Sequence, residues 1–193
     1  MKFTRKKKNF LHNFTKCVLN YQGVSYPSVE NALHHVKFSR SKYWNIPLNS
    51  KHSFIANSLL TCPPSVAFSI GGNGALMSIN MNKKKYPILM VSCLQAYRKS
   101  KLLHKHFRKT VWNKDRLLLM NKLLIAKFAQ NPNFRAKLLA TGQTLLEEDN
   151  PKDEFWALGA NQQGQNQLGR LLMETRELCL AAEALLALNP DHK

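Results

Sequence analysis

The sequence predicts a mainly α, multihelical single domain of the α+β kind, with a small β-hairpin near its N-terminus. Three observations lead there. From Trp112 onward apolar residues recur at intervals of three and four, in "WNKDRLLLMNKLLIAKFAQ" and again in "NQLGRLLMETRELCLAAEALLALN". Strand signals are confined to short β-branched and aromatic runs in "NFLHNFTKCVLNYQGVSYPS", broken at "NYQG". The chain has 193 residues, 44% of them hydrophobic and 21% charged, which suits one buried core and argues against disorder along its length.

Past the hairpin, Pro27 stops the extended piece and Ser28 caps a helix. Glu30 falls in its first turn, where a carboxylate meets the positive end of the helix dipole. Glu30, His34 and Lys37 share one stripe at i, i+4 and i+7, beside an apolar stripe of Val29, Leu33 and Val36. Spacing alone favours a capping glutamate heading a solvated polar series, worth a few tenths of a kcal/mol.

Residues 39 to 110 carry Ser and Asn clusters, "SIGGNGA", a basic run Lys83 to Lys85 and the apolar "YPILMVSCL", which suits a buried strand or a helix. Gly71, Gly72 and Gly74 fit neither phosphate-binding fingerprint and are expected in a turn or loop. After the helix that begins near Trp112, "NPNFRAKLLATG" is a second short helix stopped by Gly142. The last helix is expected to end at Asn189-Pro190. Between them lies the polar, Gly- and Asn-rich "EEDNPKDEFWALGANQQGQNQLG", a loop of the kind that carries function. No internal repeat is visible.

The formal net charge of +18 is unevenly placed. Residues 1 to 114 hold 20 Lys or Arg and one acid, +19; residues 115 to 193 hold 9 and 10, −1. Such a surface attracts polyanions, so charge alone points to a nucleic acid, a nucleotide or an anionic membrane face, and equally to a solvated basic surface without a specific partner. No run of about 18 apolar residues supports a membrane span, and the start is too polar for a signal peptide, so a cytoplasmic protein without a membrane partner is expected. Cys17, Cys62, Cys93 and Cys179 form no CxxC pair and are expected as reduced thiols without zinc. His104 and His106 are expected to belong to the basic tract around them, since neighbouring cations disfavour a bound metal. No cofactor is expected, and the oligomeric state is left open.

"HNF" at 12–14, "YPSVENALHHVKF" at 26–38, Trp112 and Met120, "AKFAQNPNFRAKLLATG" at 126–142 and "DEFWALGANQQGQNQLGRLLMETR" at 153–176 together resemble the NADAR family, the YbiA-like N-glycosidases. The resemblance covers about half the chain, in order, and makes residues 1–193 a single domain with a basic insertion at about 39–110. It implies a YbiA-like fold and hydrolysis of the N-glycosidic bond of a ribosyl compound. The substrate is either ADP-ribose on guanine bases of DNA or RNA or a riboflavin-biosynthesis intermediate. Carried over residue by residue, the catalytic positions fall on Glu30, Lys37 and Asp153, and the substrate-binding positions on Asn13, His34, Trp156 and Asn166. Gly164, Gly169, Met173 and Arg176 match the family's structural frame. The family has Gln where His34 stands and Gly where Ala157 stands.

The residue types fit that chemistry. Cleaving a ribosyl C–N bond needs stabilisation of the departing nitrogen, support for an oxocarbenium-like sugar and a nucleophile at C1′; a carboxylate serves the last two. Glu30 takes that role. Lys37 either anchors a phosphate as a cation or, if burial lowers its pKa, attacks the open-chain aldehyde as an amine; the nearby Glu30 favours the charged form. Trp156 offers a stacking face, Asp153 a partner for a ribose hydroxyl, and Asn13 and Asn166 both donors and acceptors. His34 stands as a pocket-shaping donor. The alternative reading is a non-catalytic basic module that grips nucleic acid or a nucleotide with a degenerate pocket.

Overall fold

The computed structural model describes residues 1–4, 9–71 and 87–188, and among them the protein is mainly α-helical with four short strands. Tertiary contacts divide the chain into two compact units, residues 16–123 and residues 1–15 with 124–193; the boundary falls within one helix.

In residues 16–123, strands β2 (Leu19–Tyr21) and β3 (Val24–Tyr26) form the expected antiparallel hairpin. Its turn residues Gln22 and Gly23 both have positive φ, 52° and 78°, the conformation whose twist matches paired strands. Helix α1 (Val29–Ser39) starts where the sequence places it, with the Ser28 hydroxyl accepting from Asn31 N. The solvated stripe is overturned: Glu30, His34 and Lys37 are 2%, 6% and 4% exposed. The cause is two helices that the sequence left unread, α2 (Ser50–Thr61) and α3 (Pro64–Gly71), both packed on α1. Asn31 fixes that packing by donating to Leu59 O and Cys62 O, each at 2.8 Å.

The apolar run "PILMVSCL" is the start of helix α4 (Pro87–Leu103), which packs on α2 and α3 through the buried small residues Cys93, Ala96 and Ser100. A 3-10 turn, His104–His106, leads out of α4. Phe107 then bridges Trp44, and Arg108 N and Asn45 N close the strap on Tyr43 O and His106 O, each at 2.8 Å. Helix α5 (Lys109–Gln130) follows, Trp112 meeting Tyr43 edge to face at 5.1 Å. Gly72, Gly74 and Lys83 to Lys85 lie outside the described residues.

The other unit holds the end of α5, helix α6 (Pro132–Leu139) and helix α7 (Gln167–Leu188). Gly142, with φ 53°, follows α6 as expected; residues 189 and 190, the expected end of α7, lie outside the described residues. A pairing that no local pattern announced is β1 (Lys2–Phe3) with β4 (Glu147–Glu148), in parallel. Arg176, 3% exposed, donates to Thr141 Oγ1 and Thr144 O at 2.9 Å each and so ties α7 to the turn after α6. Among the described residues no helix is long and apolar enough to cross a membrane.

Candidate active site

Within residues 16–123, one face of α1 gathers three of the expected residues. His34 Nε2 lies 2.8 Å from Glu30 Oε1 across one helical turn. His34 Nδ1 is buried and has no hydrogen-bond partner, so the neutral ring carries its proton on Nε2 and donates it to the carboxylate. The ring is held from the far side by Gly71: a Cβ there would stand 1.9 Å from His34 Nδ1, a space only glycine leaves open.

Gly71 also serves Lys37. Its carbonyl, at the C-terminal end of α3 where the helix dipole is negative, accepts a hydrogen bond from Lys37 Nζ. The same Nζ sits 3.9 Å from the centroid of Phe107, 5.7 Å from Trp112 and 5.9 Å from Phe38. Burial, with Lys101 nearby, pulls the lysine from its usual 10.5 to about 7. This corrects the expectation of a fully charged lysine. Desolvation is the main cause and the Lys101 charge adds to it, while the Glu30 carboxylate is engaged with His34.

Residues 1–15 and 124–193 hold the other expected residues. Asp153 Oδ1 accepts from Phe155 N at 3.0 Å and Trp156 N at 2.8 Å, which shapes the turn that presents the tryptophan. Trp156 is half-buried, edge-on to Phe155 with centroids 4.8 Å apart. Asn166 is buried in the left-handed region, φ 50°; its Oδ1 accepts from Glu148 N at 3.0 Å and its Nδ2 donates to Leu146 O at 2.9 Å. Those two bonds lock β4 against the start of α7, a framing task beside the expected substrate contact. Gly169 leaves room for this lock, since a Cβ would stand 2.1 Å from Leu146 O. Asn13 is 9% exposed.

The same unit contains a network that the sequence reading missed. His12 Nδ1 accepts from Phe14 N at 3.1 Å, which puts the proton of the neutral ring on Nε2, 3.0 Å from Glu148 Oε1. Lys127, fully buried on α5, donates to Phe10 O at 2.5 Å and His12 O at 3.0 Å. No spacing could announce it, because its members lie at opposite ends of the sequence. Among the described residues no group of three or more His, Cys, Asp or Glu could hold a metal ion.

The comparisons with known proteins agree with this architecture. A family model described as the NADAR domain matches residues 2–179. An N-glycosidase of Nostoc punctiforme is 41% identical over 66 residues, 34% of this chain and 42% of that protein. The N-glycosidase YbiA of Shigella boydii is 41% identical over 88 residues, 46% of this chain and 52% of that one. A riboflavin biosynthesis protein of Vibrio vulnificus is 40% identical over 83 residues, 43% of this chain and 22% of that protein. The chain thus spans about half the length of the curated relatives it matches, or less. The NMR structure of YbiA from E. coli superposes with a TM-score of 0.62 at 25% identity, covering 96% of this chain and 88% of that one. The matched span takes in α1 with its buried Glu30, His34 and Lys37 as well as the Asn166 lock, and the chain belongs to the NADAR domain family.

Proposed function

We propose that the protein is an N-glycosidase that hydrolyses the N-glycosidic bond of a ribosyl compound, with Glu30 as its central catalytic group. The observation that carries the reading is the burial of Glu30, His34 and Lys37 together on one helix face. Three ionisable side chains kept from water cost several kcal/mol unless their pairing or their chemistry offsets it.

In the reaction, water adds to C1′ as the C1′–N bond breaks, and the bonding pair leaves with the nitrogen, which ends with the proton that the water gives up. Glu30 steadies the oxocarbenium character or takes the proton of the attacking water. His34, donating from Nε2, orients the carboxylate. A lysine titrating near 7 has both forms available at neutral pH. Its ammonium can anchor a phosphate, and its amine can attack the open-chain C1′ aldehyde to form a Schiff base, releasing water. Asp153, Asn13, Trp156 and Asn166 are proposed to position the substrate, Trp156 by stacking on its base.

The finer choice of substrate rests on charge. Among residues 16–123 the acids are Glu30 and Asp115 alone, against a long series of Lys and Arg, and a polyanion suits that surface better than a small intermediate. The reading is therefore removal of ADP-ribose from guanine in DNA or RNA, ahead of action on a riboflavin-pathway intermediate. Wild type and Glu30→Gln are compared on an ADP-ribosylated guanine oligonucleotide and on a ribosylaminopyrimidine. Turnover of the first substrate by wild type and its loss in the variant supports the proposal. Inactivity of both proteins, with salt-sensitive oligonucleotide binding, leaves a binding module instead.

A further inference from the structure

We propose that Glu148 is a positioning residue of the glycosidase, the buried hub from which Asn13, Trp156 and Asn166 take their places. This role presupposes the glycosidase reading in one respect, that those three residues face the substrate.

Glu148 lies on β4, beside β1, and is buried. It is bonded in three directions. Its Oε1 stands 3.0 Å from His12 Nε2, its N donates to Asn166 Oδ1 at 3.0 Å, and its O accepts from Leu158 N at 3.0 Å. The first contact leads to Asn13. His12 Nδ1 accepts from Phe14 N at 3.1 Å and its ring packs on that of Phe14, centroids 4.9 Å apart, so the backbone of residues 12–14 wraps the imidazole. Lys127 Nζ holds the same turn by the His12 carbonyl at 3.0 Å. A rotation of the ring therefore moves Asn13 with it. The second contact fixes the Asn166 side chain itself. The third fixes the loop two residues beyond Trp156. That loop is tied in turn to the start of α7, Asn166 N donating to Ala157 O at 3.1 Å and Leu168 N to Trp156 O at 3.0 Å.

Two of the three links run through the main chain, and any residue at position 148 would make them. The side chain makes the other, to His12. A buried carboxylate is a poor means of stabilising a fold, because an apolar side chain of similar volume is often as stable. What it adds is direction, a fixed acceptor for one imidazole N–H. Direction matters where a side chain meets a substrate, since a misplacement of about 1 Å costs on the order of a hundredfold in rate. The carboxylate thus serves the placement of Asn13 more than the stability of the unit around it.

The test compares wild type, Glu148→Leu, Glu148→Gln, Asn13→Ala and the double variant Glu148→Leu with Asn13→Ala. Two quantities are read: ADP-ribose affinity by calorimetry, and kcat/KM on an ADP-ribosylated guanine oligonucleotide. Melting curves followed by circular dichroism give the stability of each. Glu148→Leu keeps both main-chain links and is expected to lower affinity and kcat/KM at least about tenfold. Glu148→Gln keeps an acceptor oxygen for His12 Nε2 and is expected to recover most of that loss. Asn13→Ala is expected to lose a similar amount, and Glu148→Leu added to it changes little more, because both act through one group. His12→Phe removes the donor from the other side and is expected to reproduce the loss, which keeps the test intact where Glu148→Leu does not fold. Losses that follow the melting temperature and add in the double variant mark a merely structural carboxylate and overturn the proposal. So does wild-type affinity in Glu148→Leu or His12→Phe, or a Glu148→Gln as weak as Glu148→Leu. Failure of the glycosidase reading shows separately, as a wild type that binds ADP-ribose and cleaves no N-glycoside; the affinity series then still decides the role of Glu148. A wild type that neither binds ADP-ribose nor cleaves the oligonucleotide overturns both.

Discussion

Replacing Lys37 with Met tests the electrostatics of the α1 face directly. The lysine is 4% exposed and titrates near 7 instead of 10.5. Each tenfold loss of proton affinity corresponds to about 1.36 kcal/mol, so the charged lysine burdens the fold by an amount on the order of 5 kcal/mol at pH values below 7. Between about 7 and 10.5 the unfolded chain holds the lysine proton and the folded chain does not. The unfolded state then binds more protons, and stability rises with pH across that window. Below 7 both states are protonated and the burden is full; above 10.5 neither is, and it is gone. Lys37→Met removes the titration, so its stability advantage over wild type shrinks by about 2 kcal/mol from pH 7 to pH 9. Urea unfolding followed by tryptophan fluorescence reads this locally, because Trp44 Nε1 donates to Lys37 O at 2.9 Å and Trp112 faces its Nζ. Burial, Lys37 and Lys101 lower His104 from its usual range, so its own charge change falls on the acid side of this window. An advantage that is equal at both pH values refutes a desolvated lysine.

Gly71→Ala places a methyl 1.9 Å from His34 Nδ1, so we expect a loss of about 1 to 3 kcal/mol in thermal unfolding, accompanied by a fall in turnover as the Glu30–His34 pair is displaced. Asn166→Ala strands Glu148 N and Leu146 O in a buried setting and is expected to cost about 2 to 4 kcal/mol in denaturant unfolding, with Asn166→Asp, which keeps the acceptor, costing less. Trp156→Ala is expected to raise KM by about tenfold through lost stacking while stability changes little, as steady-state kinetics and a melting curve would show together.

Elements with a strong local signature were legible in the sequence. The Gln22-Gly23 turn, the Ser28 cap and the long periodic helices stand where composition put them. The grouping of Glu30, His34 and Lys37 was legible from i, i+4, i+7 spacing, but not its burial, because burial comes from the neighbours. Those neighbours, α2 and α3, are built from "SKHSFIANSLLT" and "PSVAFSIG", whose Ser and Asn residues blur the helical period. "PILMVSCL" is apolar but for Ser92, and such a run fits a strand as well as a helix until packing against α2 and α3 decides it. The β1–β4 pair and the His12–Glu148 contact join residues from opposite ends of the chain through two-residue strands and single side chains, where periodicity has nothing to report.

The central claim, that the buried α1 carboxylate acts on the sugar carbon, is tested most directly by the crystal structure of Glu30→Gln with ADP-ribose bound. The account predicts ribose C1′ in contact with the side chain of residue 30 and a phosphate oxygen hydrogen-bonded to Lys37 Nζ. A nucleotide seated on the protein with its ribose out of reach of α1 would contradict it.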